Sequence, residues 1–351
     1  MKLSMKRSRR GLVVAGSLLT AAALALTGCA SGGSGGSDGG TSAEGDLSIT
    51  FIPKQLNNPY TDVVLGGGED GAKAAGFGAS QVVGPLDASA SSQVSFINAE
   101  TQAGTNVIVI AANDPDAVCP ALKEARSGGA KIVAFDSDTN PDCRDVFVSQ
   151  VVAKDVALIQ LELISQQIGG EGEIAILSAT ANATNQNEWI KYMEEELASN
   201  PDYSKIKLVT KVYGDDDDTK SFQEAQGLMQ AYPNLKGIIS PTTVGIAATA
   251  RYLSTSEYKG KVALTGLGLP NEMRPFVKDG TVTEFALWDP AQLGYVAAFA
   301  GKALADGSIT GKPGDKFEAG DLGEREVSDG GLIIVGPPTV FNADNIDDYD
   351  F

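Results

Sequence analysis

The chain has 351 residues, with 27 basic side chains against 45 acidic ones and no histidine. That acidity repels phosphate backbones and anionic lipid surfaces, which sets nucleic-acid binding aside. Without histidine there is no Ser-His-Asp or Cys-His nucleophilic system and not the commonest zinc ligand, so catalysis would need a carboxylate pair or an activated lysine. In chain order the first feature is a basic head of Lys2, Lys6, Arg7, Arg9 and Arg10, then an apolar run from Gly11 to Leu26, then Thr27-Gly28-Cys29. This order reads as an export signal over residues 1–28, with small residues at the cleavage point. The alternative is a transmembrane anchor, but the run is shorter than the ~20 residues a spanning helix needs. From Cys29 to Asp46 the chain is Gly- and Ser-rich, a flexible leash too poor in apolar residues to bury a core. The remainder, 47–351, is roughly 305 residues, enough for two lobes with a core each.

The body alternates β-branched runs with amphipathic stretches. Strands are predicted at Leu47–Ile52, Gln81–Val83, Val107–Ala111, Ile132–Phe135 and Val146–Val151, with helices at Thr61–Ala75, Ser91–Ala103 and Ala117–Ser127. A second series follows. Its strands are Ile174–Leu177, Leu208–Tyr213, Gly237–Ser240 and Val262–Thr265; its helices are Val156–Gln167, Trp189–Leu197, Phe222–Ala231, Gly245–Leu253 and Glu272–Lys278. Continuous apolar strands separated by helices are what a parallel sheet covered on both faces requires. Two such series predict an α/β protein of two doubly wound lobes, with ligands beyond the carboxyl ends of the strands.

That rule selects the segments after each strand: Lys54 to Tyr60, Asn113 to Asp116, Asp136 to Asp138, Ser178 to Gln186, Pro241 to Thr243, Gly266 to Gly268, and Trp288-Asp289. Lys54 could donate charge-assisted hydrogen bonds to a polyol oxygen or stand as a solvated surface lysine. Asp136, first after its strand, could accept from two adjacent hydroxyls; it could equally cap a turn, as could Asp138. Tyr60 and Trp288 offer aromatic platforms for an apolar sugar face, with core packing as the alternative for Trp288. Asn185 and Gln186 open the helix that holds Trp189, where Asn185 could act only as an N-cap. The run Asp215–Asp218 lacks the spacing of a calcium loop and reads as acids at the positive end of a helix. The triplet Gly66–Gly68 lacks the Gly-Lys-Ser/Thr ending of a phosphate loop. No metal site, cofactor or catalytic residue is expected. Cys119 and Cys143, two cysteines in an exported chain, suggest one disulfide, with a pair of buried thiols as the alternative.

The tetrad Leu26-Thr27-Gly28-Cys29 resembles the lipobox of bacterial lipoproteins, which implies a diacylated Cys29 and a chain anchored by lipid on the extracytoplasmic face of the cell membrane. The stretches FIPKQLNNPY (51–60), IAANDPDAVCPALKEAR (110–126), FDSDTNPDCRDVFVSQ (135–150), ATNQNEWI (183–190), YGDDD (213–217), GLGLPNEMRPFVKDGTVTEFALWDP (266–290) and VFNADNIDDYDF (340–351) resemble the type I periplasmic sugar-binding proteins of ABC importers. The similarity is greatest to the rhamnose-binding subunits and to their relatives, the autoinducer-2-binding proteins, and it covers essentially all of Leu47–Phe351. The resemblance implies two doubly wound parallel-sheet lobes joined by a three-strand hinge near Ser149–Val152, Leu287–Pro290 and a segment after Gly311. It divides the chain into a first lobe of 47–150 plus 290–313 and a second of 151–289 plus 314–351. The ligand implied is a neutral monosaccharide, L-rhamnose first, and the partner a membrane ABC permease, with a monomeric carrier. Lys54, Asp136, Gln186, Pro241 and Asp289 become ligand contacts by this match, joined in the candidate set by Tyr60, Asn113, Asn185, Thr243 and Trp288. Asn185 falls where the autoinducer-2 binders carry aspartate and Thr243 where they carry alanine, which favours rhamnose. Cys119 and Cys143 sit where that same group also has cysteines, which keeps autoinducer-2 as the alternative. A module reporting to a membrane receptor is a further alternative. A glycosidase using Asp136 and Asp289 lacks an acid in an apolar setting, and a transcriptional repressor of similar lobes would begin with a basic helix-turn-helix.

Overall fold

The computed structural model describes residues 47–351; the signal, Cys29 and the leash lie outside the described residues. Strands β1 (Ser48–Ile52), β2 (Ala79–Val82), β3 (Val107–Ile110), β4 (Lys131–Phe135), β5 (Val146–Ser149) and β13 (Leu332–Ile334) form one parallel sheet in the order β13-β5-β4-β3-β1-β2. Strands β6 (Gly172–Ser178), β7 (Ile206–Tyr213), β8 (Leu235–Ser240) and β9 (Ala263–Gly266) form a second, in the order β7-β6-β8-β9. One bridge, Leu267 to Ala286, leads on to β10 (Phe285–Leu287), which pairs antiparallel with β14 (Thr339–Phe341). Val107–Ile110 is buried along its whole length, as a central parallel strand with helices on both faces must be.

Helices α1 (Pro59–Ala74), α2 (Ala90–Ala103), α3 (Cys119–Ser127) and α9 (Pro290–Ala305) cover the first sheet. Around the second run α4 (Ala153–Ile168), α5 (Thr184–Ser199), α6 (Asp218–Ala231), α7 (Thr243–Thr255) and α8 (Pro270–Lys278). α1 starts two residues before the sequence-based expectation, because Asn58 Oδ1 accepts from Thr61 N at 3.2 Å and Pro59 supplies a preset first turn. The Gly-rich part of α1 is a contact surface for α9. A Cβ on Gly67 would sit 2.0 Å from the Ala291 carbonyl oxygen, and one on Gly294 would sit 1.9 Å from that of Val64.

The division into lobes differs from expectation beyond Gly311. Strands β11 (Lys316–Glu318) and β12 (Glu324–Glu326) form a hairpin, and β13 then joins the first sheet beside β5. Phe317, Ala319, Val327 and Ile333 are buried in the first lobe's core, so residues 314–335 belong to that lobe and not to the second. The chain crosses between lobes at Gln150–Val152, at Trp288-Asp289, and at Gly336-Pro337-Pro338 rather than just after Gly311. Cys119, opening α3, is joined by a disulfide to Cys143 in the turn after β4, with Cα atoms 5.4 Å apart.

Candidate functional site

The carboxyl ends of both sheets face one another across a cavity of about 60 Å³. From the first lobe come Lys54, two residues past β1, Tyr60 in the first turn of α1, and Asp136, immediately past β4. Asp136 has φ +59°, a left-handed conformation that non-glycine residues rarely adopt and Asp tolerates best. The second lobe contributes Asn185 and Gln186 in the first turn of α5, Asp216 past β7, Pro241 and Thr242 between β8 and α7, and Thr243 at the start of α7. Trp288 reaches in from the second crossover.

The polar groups are linked across the cleft. Lys54 Nζ donates to Asn185 Oδ1 at 3.2 Å and lies 3.8 Å from Asp136 Oδ2. Asn185 Nδ2 donates to the Asp136 carbonyl at 3.3 Å, and Gln55 Nε2 to the Asp216 carbonyl at 3.3 Å. The lobes are therefore held closed by side chains that also line the cavity. Gln186 Oε1 accepts from Ser178 Oγ at 2.6 Å and from Ala179 N at 2.8 Å, which leaves its NH2 end as the donor toward a ligand. Much of the rest of the wall is apolar: Val64, Leu65, Phe135, Trp189, Leu267 and Leu287. Trp288 packs edge-on against both Trp189 and Tyr60, at centroid distances of 5.9 and 6.2 Å. Burial, reinforced by the Asp136 charge, holds the Tyr60 hydroxyl well above the ordinary phenol range, so it stays protonated and a donor.

Eight of the ten candidate ligand residues line this cavity; Asn113 and Asp289 do not. Asn113 Nδ2 donates to the Lys54 carbonyl at 2.8 Å, so it steadies the backbone that carries the lysine. Asp289 caps α9: its Oδ1 accepts from Ala291 N at 3.0 Å and its Oδ2 from Gln292 Nε2 at 3.1 Å. An Asp-Pro pair at a strand-to-helix junction is a capping signal, and here the cap takes both carboxylate oxygens.

Asp216 is the group that sequence reasoning missed. Within the acidic run, Asp217 caps α6 and Asp218 pairs with Arg251, as acids at a helix start should. Asp215 and Asp216 instead take left-handed backbone conformations, φ +56° and +52°, which turn Asp216 into the cavity wall. There Oδ1 accepts from Thr242 Oγ1. Its position in the segment following β7 was the available signal. Burial raises the Asp216 carboxyl above its ordinary range, with the Lys54 charge as a partial offset. A folded-state value above the unfolded one means stability is greatest at low pH and is lost as pH rises through the raised value. Asp216→Asn should therefore raise the thermal midpoint of the ligand-free protein at pH 7, with the gain vanishing below about pH 3.5, where the unfolded-state carboxyl is itself protonated. The same substitution should weaken binding of a hydroxylated ligand about tenfold or more, the worth of one hydrogen bond to a charged group. Melting curves over that pH range with parallel calorimetry read both effects, and a midpoint that falls at pH 7 would contradict this account.

The model of the periplasmic binding protein domain family matches residues 49–309. The chain belongs to that family. Its members are the extracytoplasmic substrate-binding components of ABC importers and are not enzymes. A sugar ABC transporter structure from Actinomyces odontolyticus is 69% identical, covers 89% of this chain and 100% of that one, and superposes with a TM-score of 0.72. A solute-binding protein from Clostridium phytofermentas with bound L-rhamnose is 36% identical over 87% of this chain and 98% of its own, with a TM-score of 0.83. LsrB from Clostridium saccharobutylicum in complex with AI-2 is 26% identical over 87% of this chain and 100% of its own, with a TM-score of 0.82.

Proposed function

We propose that this protein captures a small neutral sugar, L-rhamnose first, between its closing lobes and hands it to an ABC permease while tethered to the membrane through a lipidated Cys29. The carrying observation is the two-natured cavity. Lys54, Asp136, Asn185, Gln186 and Asp216 offer charged and amide groups to hydroxyls, while Val64, Leu65, Phe135, Leu267, Leu287 and Trp288 offer a dry wall. A 6-deoxy sugar matches that division, with ring hydroxyls for the polar groups and a methyl group for the apolar ones. The two chains solved with ligand, one holding L-rhamnose and one AI-2, superpose better than the 69% identical chain, 0.83 and 0.82 against 0.72, which supports a ligand-holding arrangement of the lobes here without distinguishing the two ligands. The cross-cleft hydrogen bonds fit the same closed, ligand-holding arrangement.

Affinity in the micromolar range, about −8 kcal/mol, is reachable for a ligand of about eleven heavy atoms without exceeding the ceiling for small ligands. Isothermal titration with L-rhamnose, D-arabinose and autoinducer-2 tests the assignment. Saturable micromolar or tighter binding of L-rhamnose, with a rise in thermal midpoint, is expected; no response to any of the three would reject the sugar reading. The second reading, autoinducer-2, rests on the AI-2 complex, which superposes almost as well as the rhamnose one. If rhamnose is the natural ligand, Asn185→Asp should shift preference toward autoinducer-2, because the resemblance sets Asn185 where the autoinducer-2 binders carry aspartate.

A further inference from the structure

The Asp136 carboxylate is held from behind by groups that belong to the hinge. Gln150, in the first crossover, is 2% exposed and donates its amide Nε2 to Asp136 Oδ1 at 2.6 Å and to the Asp136 carbonyl at 3.1 Å. Tyr60 donates its hydroxyl to the same Oδ1 at 2.9 Å and accepts from Trp288 Nε1, in the second crossover, at 3.0 Å. The third crossover closes the set: Gly336 N donates to the Gln150 carbonyl at 3.1 Å, and Val335 N to that of Ser149 at 3.0 Å. A buried amide is costly unless bonded, and Gln150 directs its NH2 wholly at residue 136. Oδ1 of Asp136 is thus saturated by hinge-linked donors, and Oδ2 is the oxygen left beside Lys54 and the cavity.

We propose that Gln150 is a positioning residue which, with Tyr60 and Trp288, ties all three crossovers to the ligand-facing carboxylate of Asp136, so that lobe closure and presentation of that carboxylate are one event. Gln150 does not line the cavity. Its effect on affinity is exerted by fixing which oxygen of Asp136 points inward, in a left-handed backbone conformation that would otherwise relax. The inference rests on the assignment of Asp136 as a sugar contact.

Gln150→Glu and Gln150→Leu test it. Glutamate at 150 sets two carboxylates against each other, and like charges that close cannot both ionise freely. The other charged or titratable groups facing Asp136 are Lys54, Tyr60 and, across the cleft, Asp216. Because these remain in every variant, the quantity to read is the ratio of variant to parent dissociation constants for L-rhamnose at each pH. For Gln150→Glu the ratio should be about thirtyfold at pH 7.5 and fall below about fivefold at pH 5, as a proton returns to the pair. For Gln150→Leu it should be about tenfold at both. Ratios within twofold of one for both variants, or equal pH-independent losses in both, would overturn the proposal in favour of mere packing. A parent protein that binds no sugar would instead sink the proposed function, and the relay is then read without ligand. The melting midpoint of Gln150→Glu should fall with rising pH relative to the parent, and the added change Asp136→Asn should abolish that extra slope; persistence of the slope would overturn the contact.

Discussion

Asp136→Ala should weaken sugar binding by at least two orders of magnitude. The carboxylate stands 3.8 Å from Lys54 Nζ, and the two side chains are only 12% and 13% exposed. Removing the carboxylate takes away a charge-assisted hydrogen bond to the ligand, worth about 1.5–3 kcal/mol, and leaves Lys54 without its partner, so the combined loss reaches about a hundredfold or more. The Tyr60 hydroxyl and the Gln150 amide lose their acceptor at the same time. Asp136→Asn keeps an acceptor oxygen and should lose less, which separates shape from charge. Calorimetry on both variants beside melting curves gives the answer. Near-parent affinity in the alanine variant would mean that no ligand hydroxyl meets this carboxylate.

The largest structural effect is expected at a residue that does not line the cavity. Gly294→Val should lower the thermal midpoint by about 10 °C or prevent folding. A Cβ at 294 would lie 1.9 Å from the Val64 carbonyl oxygen and 2.6 Å from the Gly68 nitrogen, both backbone atoms of α1. No rotamer change relieves a backbone clash, so α9 must move off α1, at a cost above the ~1–3 kcal/mol of ordinary overpacking. At about 2–4 °C per kcal/mol in proteins of 150–250 residues, that reaches the shift stated. Gly66→Ala is the internal control, because nothing lies within 4 Å of a Cβ there. Equal midpoints for the two variants would show that the close helix approach is not needed.

The alternation of buried strands and helices was legible because parallel sheets impose it: Val107–Ile110 and Ile238–Ile239 could be little else. The rule that ligands sit beyond strand ends selects Lys54, Asp136 and Gln186, which line one cavity. What it could not do was separate a group that faces the cavity from one that serves the backbone. Asp289 and Asp216 both follow strands. One became a helix cap and the other a cavity wall, and the difference lies in backbone angles that residue type only biases. The third crossover was misplaced for a related reason. The short run Leu332–Val335 carries a strand signal, but which sheet receives it depends on pairing with β5, nearly two hundred residues earlier. Gln150 carried no signal of its own, since a glutamine after a strand looks like any polar loop residue.

The return of the chain to its first lobe has a consequence for biosynthesis. α9 supplies Leu293, Val296, Ala297, Ala300 and Leu304 to the same core as Val107, Val133 and Val148, and β13 completes the sheet edge beside β5. Neither exists until most of the second lobe, α4 through β10, has been translated. A nascent chain halted near residue 289 would carry a half-covered sheet with its valines open to solvent, so this lobe cannot mature in N-to-C order as a free-standing unit does. Residues 290–335 act as the clasp for the sheet built from residues 48–149. Early termination should therefore yield an aggregating fragment and not a functional half.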